Sequence, residues 1–241
     1  MFLLIIIVKT GLAQQDLSKQ IPKETKYVYT DIYDKRYGIN MYDKMVIRLK
    51  GDSTRRCDGY ACSGWVEDFY VNNKLLHKGY YIDGQLKIFK NFYPNGNIER
   101  EYKISDDRRS AMNIYYPNGN MKSEIKYIGS DALEWTDFFE NGKIEYHELY
   151  DKSFEYYITQ LSNYENGLPE TVLELANKKK LEFTKKEYYS SGRVKIEGIL
   201  NYNKDMFDYQ RNGEWSYYDE NGTLKKQEYY IKGELNKTNE F

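Results

Sequence analysis

The chain has 241 residues, a formal net charge of −1, 17% aromatic and 30% charged residues. That mixture excludes a chain that is disordered or membrane-embedded as a whole. Lys and Glu are interspersed rather than blocked, which argues against an electrostatic nucleic-acid binder, since that needs a concentrated basic surface.

In chain order, Met1 to Gln15 stands apart. Phe2 to Val8 is an unbroken apolar run followed by Gly11-Leu12-Ala13, small residues at the positions a signal peptidase reads. The run is too short to span a bilayer as a helix, which needs about 20 residues. It is read as an export signal over 1–13, with a buried first strand as the alternative. Lys9 is its one charge, and it follows the apolar run. Residues 14–26, polar and containing Pro22, read as a linker. Residues 27–63 read as an N-terminal β cap, because Tyr27-Val28-Tyr29 and Met45-Val46-Ile47-Arg48-Leu49 look like strands that close the edge of an array. Inside it, Cys57 and Cys62 flank a Gly59 bend. In an exported chain such a pair is most simply a disulfide. A metal site would need more ligands than the separated His77 and His147 offer, and two reduced thiols are the alternative if the chain is not exported.

From residue 64 onward a turn recurs. Aligned on its last residue it reads Phe69-Tyr70-Val71-Asn72-Asn73, Phe92-Tyr93-Pro94-Asn95-Gly96, Tyr115-Tyr116-Pro117-Asn118-Gly119 and Phe138-Phe139-Glu140-Asn141-Gly142. The anchors at 73, 96, 119 and 142 are 23 apart, and looser copies end at Gly167, Gly192 and Gly222. A fixed period of this size means a repeat architecture. A second set of turn signals, such as Asp83-Gly84, falls half a period on. Turns every 11 to 12 residues between aromatic and β-branched runs predict hairpins.

The turn chemistry sets the register. Pro suits the first corner of a type I turn and Gly the left-handed residue after it, which gives a three-residue loop with a bulge at the glycine. Tyr115 then faces Met121, and the equivalent pairs are Phe69 with Leu75, Phe92 with Ile98, Phe138 with Ile144, Tyr188 with Val194 and Tyr218 with Leu224. Each sets an aromatic against an aliphatic side chain, worth about 0.2 to 1 kcal/mol. That face is expected to be the core. The other, carrying Tyr70, Tyr93, Tyr116, Phe139, Tyr164 and Tyr189 against mostly polar partners, is expected to be a mixed aromatic surface.

The spacing of 23, the Tyr-Tyr-x-Asn-Gly core and the Gly64-Trp65 and Gly213-Glu214-Trp215 entries resemble MORN repeats, in particular bacterial MORN-repeat-variant proteins, over about 64–233. The resemblance implies an all-β fold, an elongated single-layer antiparallel sheet of stacked β-hairpins. It also implies non-enzymatic roles in scaffolding, protein binding or membrane association, with some bacterial relatives described as antitoxins. The sequence departs from the pattern at Leu161 to Lys180, where Asn163 replaces the first aromatic and the array is expected to distort or break. It departs again at Asn201 to Arg211, which reads as an insertion, and 234–241 reads as a C-terminal tail. Tyr218-Asp219 followed by Gly222 and Leu224 is also similar to YD repeats, which need far longer arrays to enclose a volume.

No pattern of residues points to catalysis. Glu67 with Asp68, Glu99 with Glu101 and Asp106 with Asp107 read as solvated surface, since neighbours on a strand point to opposite faces. His77 and His147 sit near no triad pattern, the glycines are accounted for by turns, and no cofactor is implied. The candidate partner-binding residues are therefore the ladder Tyr70, Tyr93, Tyr116, Phe139, Tyr164 and Tyr189, with self-packing of the rings as the alternative. The expected function is that of an exported, non-catalytic protein-binding or scaffold module. An antitoxin-like protein that neutralises a toxin is one alternative. Membrane-surface association is another, without a basic amphipathic stretch to drive it. The expected partner is another protein or peptide.

Overall fold

The computed structural model describes residues 20–21, 26–34, 36 and 39–241. The expected export segment over 1–13 and most of the linker lie outside the described residues. From Gly64–Tyr70 to Glu234–Glu240, fifteen strands pair antiparallel, each with the next in sequence. Lys26–Tyr27 adds a sixteenth, parallel to Gly64–Tyr70. The expectation of an all-β sheet of stacked hairpins is met.

The turns follow from their residues. Gly119 N–H donates to the Tyr116 carbonyl at 2.8 Å, and Tyr116 N–H to the Asn120 carbonyl at 2.8 Å. Pro117, Asn118 and Gly119 are thus the three-residue loop, with Gly119 at φ 93°. Asn73 takes the same left-handed position at φ 64°, a region that Asn tolerates better than other residues with a side chain. The pairs Phe69–Leu75, Phe92–Ile98, Tyr115–Met121, Phe138–Ile144, Tyr188–Val194 and Tyr218–Leu224 all form as expected.

Beyond that pair the register slips, which sequence reading did not foresee. Tyr115 faces Met121 but Ile114 faces Ser123, so Lys122 is skipped, and Leu76, Glu99 and Glu145 are skipped in the same way. Each hairpin therefore carries a β-bulge just after its turn, adding twist at every repeat.

The core lies on the face opposite to the one expected. Along Gly64–Tyr70, Val66, Asp68 and Tyr70 are buried, whereas Trp65, Glu67 and Phe69 are not. Buried Leu76, Tyr81, Leu86, Phe89, Tyr102, Met112 and Ile125 extend that face beneath Ile32, Tyr42, Met45 and Val46. The physical reason is cover: the described residues between 26 and 57 lie over this face of the first repeats, and nothing described lies over the other. The aromatic–aliphatic pairs are accordingly half-buried or exposed.

The cap is also less β-like than expected. Tyr29–Ile32 is a single α-helical turn, and Asp43–Met45 and Ile47–Leu49 are 3-10 turns. Met45 and Val46 are adjacent and both 0% exposed, which a strand with alternating faces could not achieve. Its extended pieces are short: Lys26–Tyr27, the pair Tyr33–Asp34 with Ile39–Asn40, and the hairpin of Thr54–Cys57 with Tyr60–Ala61, where Cys57 and Cys62 form a disulfide. That hairpin rests on the turn at Gly84, where a Cβ would come within 2.7 Å of the Arg55 carbonyl.

Two further expectations need correction. The sheet does not break over 161–180: Tyr157–Asn163, Pro169–Asn177 and Glu182–Tyr188 pair in sequence, because Asn163 still meets Pro169 across the turn. The insertion read at 201–211 takes the form of a longer hairpin, Val194–Asn203 with Asp208–Tyr218. Residues 234–240 are no tail but a strand on Leu224–Ile231, returned by a turn at Lys232 and Gly233 with φ of 50° and 88°.

Candidate functional site

The ladder proposed from the sequence has a defined geometry. The Tyr70 hydroxyl donates to the Phe92 carbonyl at 2.6 Å, Tyr93 to Tyr115 at 2.7 Å, Tyr116 to Phe138 at 2.7 Å, Tyr164 to Tyr188 at 2.8 Å and Tyr189 to Tyr218 at 2.8 Å. Each tyrosine thus ties its own turn to the next. Phe139, without a hydroxyl, interrupts the series. A second tie runs beside the first: Asn95 Nδ2 donates to the Pro117 carbonyl at 2.7 Å and Asn166 Nδ2 to the Ser190 carbonyl at 3.0 Å. The ladder lies on the buried face. Tyr70 is 2% exposed beneath the cap, and the other five are half-buried. Burial, with Glu99 nearby, pushes the Tyr93 hydroxyl up to about 12.

Two ionic clusters fix the cap. Arg55 of the cap forks onto Asp68 with both contacts at 2.6 Å, and Tyr42 donates to the same carboxylate at 2.6 Å, all three side chains fully buried. Reciprocally, Arg100 of the array pairs with Asp43 of the cap and also reaches Glu99 at 3.3 Å. Glu99 receives the Tyr29 hydroxyl at 3.3 Å and Asn40 Nδ2 at 3.4 Å, yet its burial outweighs the Arg100 charge and holds its carboxyl above the usual range. His77 is wholly buried, stacked on Tyr42 with centroids 3.8 Å apart, its Nδ1 2.6 Å from Asn91 Oδ1 and its Nε2 3.0 Å from the Tyr81 hydroxyl. Desolvation lowers it to about 4, so it is neutral at neutral pH.

Asp68, Glu99 and Glu101 are therefore not the solvated surface read from the sequence. They are paired, Glu101 with Lys90 at 2.8 Å and Lys103 at 2.9 Å. Asp106 does lie at the surface, with Arg109 at 2.7 Å. His147 meets Thr136 at 2.9 Å, far along the sheet from His77. Among the described residues no group of three or more His, Cys, Asp or Glu is placed to hold a metal ion.

Past Trp135 the cap ends and the same face continues uncovered. It presents Tyr146, Glu148, Tyr150, Tyr157, Gln160, Thr171, Lys185, Glu187, Arg211, Tyr217 and Tyr230, all half-buried. A small second core, Tyr156, Leu173, Phe183 and Tyr202, gathers at one margin. No helix among the described residues is long and apolar enough to cross a membrane. Nothing in the sequence marked where the cap stops, because the residues it covers and those it leaves bare fit the same repeat.

Comparison with known proteins agrees with the hairpin period. A model described as the MORN repeat variant matches residues 85–104, 112–128, 133–152 and 211–232, each holding part of a hairpin seen here. No curated protein matches the chain. Among solved structures, a mutant of S. aureus TarM in complex with fondaparinux, alpha-GlcNAc-glycerol and UDP is 14% identical with a TM-score of 0.29, covering 64% of this chain and 24% of that one. A further TarM structure is 13% identical with a TM-score of 0.28, covering 58% of this chain and 22% of that one. This chain thus spans under a quarter of the TarM chain's length, and such scores carry no functional argument. The four matched stretches are MORN-variant repeats seated in one continuous array of bulged hairpins, and through them the chain is similar to the MORN-repeat-variant proteins.

Proposed function

We propose that this protein is a non-catalytic protein-binding or scaffold module whose contact surface is the uncovered half of the face that the cap occupies. One observation carries this reading: a single repeat face is largely buried by the described residues between 26 and 57 at one end and left with aromatic and charged side chains half-exposed at the other. Aromatic and arginine side chains are the ones that anchor protein interfaces. Tyr164 and Tyr189 lie on this half and join the contact by their ring faces, since their hydroxyls are committed to the turns.

The test is a pull-down with the full chain as bait. Ser162 and Thr171 face each other across two strands of the open face. Ser162→Lys with Thr171→Lys would place long cationic side chains over the surface without touching either core. The expected result is a several-fold loss of partner recovery at an unchanged melting temperature. Undiminished recovery, or no protein recovered above a bait-free control, would remove this reading. Export is part of the proposal, supported by the Cys57–Cys62 disulfide and the apolar N-terminal run. Finding the intact Met1 end on cytoplasmic protein, by N-terminal sequencing of fractionated cells, would exclude it.

A further inference from the structure

One constellation occurs twice along this face. Trp215, Glu228 and Tyr230 stand 7 before, 6 after and 8 after the turn glycine Gly222, and Trp135, Glu148 and Tyr150 stand at the same offsets from Gly142. In both copies the sheet pairs the tryptophan directly opposite the glutamate, Trp215 with Glu228 and Trp135 with Glu148. The tyrosine two residues further along the strand shares their face.

In the later copy the constellation holds a cation. The Arg211 guanidinium lies 4.2 Å from the centre of the Trp215 ring and 5.2 Å from that of Tyr230. Its Nη1 donates to the Tyr217 hydroxyl at 2.7 Å and the Tyr230 hydroxyl at 2.9 Å, and is 3.5 Å from Glu228 Oε2. Lys226 adds a second cation at 2.8 Å from Oε1. Burial opposes ionisation of Glu228, but the hydrogen bonds from Lys226, Tyr217 and Tyr230 outweigh it and hold its carboxyl at about 2. At the capped end the same face takes another arginine, Arg55, on Asp68 with the Tyr81 ring 5.5 Å away.

The earlier copy has the carboxylate and the rings without the cation. Tyr146 replaces Lys226 and donates to Glu148 Oε2. On the next strand, Tyr157 packs at a tilt against Tyr150, with centroids 4.3 Å apart and hydroxyls 2.7 Å apart. Gln160, opposite Glu148, bonds the Tyr146 hydroxyl at 2.8 Å. Counted back from the turn glycine, the place of Arg211 is held by Asp131, itself paired with Lys50 at 2.7 Å. Among the described residues no Lys or Arg reaches Glu148. Aromatic rings around one ionised carboxylate attract a cation through both the ring quadrupoles and the charge, and a planar guanidinium also stacks.

We propose that Trp135, Glu148 and Tyr150, with Tyr146 and Tyr157, form a receptor for an arginine side chain presented by a partner protein. This rests on the proposed binding function and gives it a chemistry. In the bound state the guanidinium lies against Trp135 and Tyr150 and pairs with Glu148, reproducing the setting that Arg211 occupies in the later copy.

The test titrates the full chain with a short peptide, Ac-Gly-Arg-Gly-amide, and with its lysine and citrulline counterparts. It follows the indole N–H resonance of Trp135, assigned by Trp135→Phe. The arginine peptide is expected to give a saturable shift with a Kd of about 1 mM, an affinity fit for one anchor of a larger contact. The lysine peptide should bind several-fold more weakly and the neutral citrulline peptide not at all. Glu148→Gln, nearly isosteric, should weaken binding roughly tenfold. Arg211→Ala should empty the later copy, so that the Trp215 indole now also responds to the arginine peptide. The proposal is overturned by the absence of a saturable shift at Trp135, by equal shifts with citrulline or lysine, by Glu148→Gln binding as wild type, or by self-association through Glu148 without peptide. Failure here with a pull-down that remains sensitive to Ser162→Lys and Thr171→Lys would sink the arginine receptor and leave the binding module standing. A binding peptide with no recoverable protein would do the reverse.

Discussion

His77 shows how a single residue ties stability to solution conditions. Buried between Tyr42, Tyr81 and Asn91, it has lost its hydration, and the folded protein holds it neutral down to about pH 4. Its other charged neighbours, Asp68 and Arg55, act in opposite directions and change that little. In the unfolded chain the ring protonates near the ordinary value of about 6.5. Between the two values the unfolded state binds the extra proton, so stability is fully present above about pH 6.5 and falls as pH drops toward 4. The slope for one proton is about 1.4 kcal/mol per pH unit. Urea unfolding at intervals from pH 7 to pH 5 should show it, with His77→Gln flattening the profile over that window. A slope unchanged in the variant would assign the pH dependence to other groups.

At the scale of the repeat, the tyrosine ladder makes a prediction with an internal control. Tyr116→Phe removes the hydroxyl that satisfies the Phe138 carbonyl and should cost about 1 kcal/mol in a denaturant titration. Phe139 sits where every other ladder member has a tyrosine, and its missing donor is the one interruption in the series. Phe139→Tyr should regain a bond to the carbonyl of Asn163, the equivalent of those its neighbours use, and stabilise by about 0.5 to 1 kcal/mol. A loss of stability on adding that hydroxyl would show that the ladder is not a set of interchangeable ties. This is also the scale at which the sequence was most legible. Pro117-Asn118-Gly119 specified its loop, and the loop specified the Tyr115–Met121 pair, because turn geometry is a local property. The bulge at Lys122 was not legible, since it arises from pairing beyond the turn. Nor could alternation alone say which face is buried: both faces carry aromatics, and the outcome depends on where residues 26–57 come to rest. The buried Asp68, Glu99 and Glu101 read as surface for the same reason, their partners being remote in sequence. The Trp–Glu–Tyr offsets were present in the sequence, but they acquired meaning only when the structure seated Arg211 upon one copy.

Along the array, strand pairing is between neighbours in sequence, so stability should be distributed along it rather than shared by one core. Each strand of the array pairs only with the strands before and after it. In such a system local stabilities add approximately, repeat by repeat. The large hydrophobic cluster and both cap ion pairs lie within residues 27–135, whereas the later strands share a cluster built on Tyr156, Leu173, Phe183 and Tyr202. Amide hydrogen exchange followed along the chain should accordingly be slower in the strands from Gly64–Tyr70 to Met121–Ile128 than in those from Glu182–Tyr188 to Glu234–Glu240. Arg55→Met supplies the decisive comparison. It strands Asp68 as a buried charge and should cost about 3 to 5 kcal/mol, but only where the cap is docked. Protection should therefore collapse over the first repeats and stay as it was over the last. Uniform loss along the chain would mean that the array unfolds as one unit, and that the uncovered half of the face depends on the cap for its shape as well as the covered half.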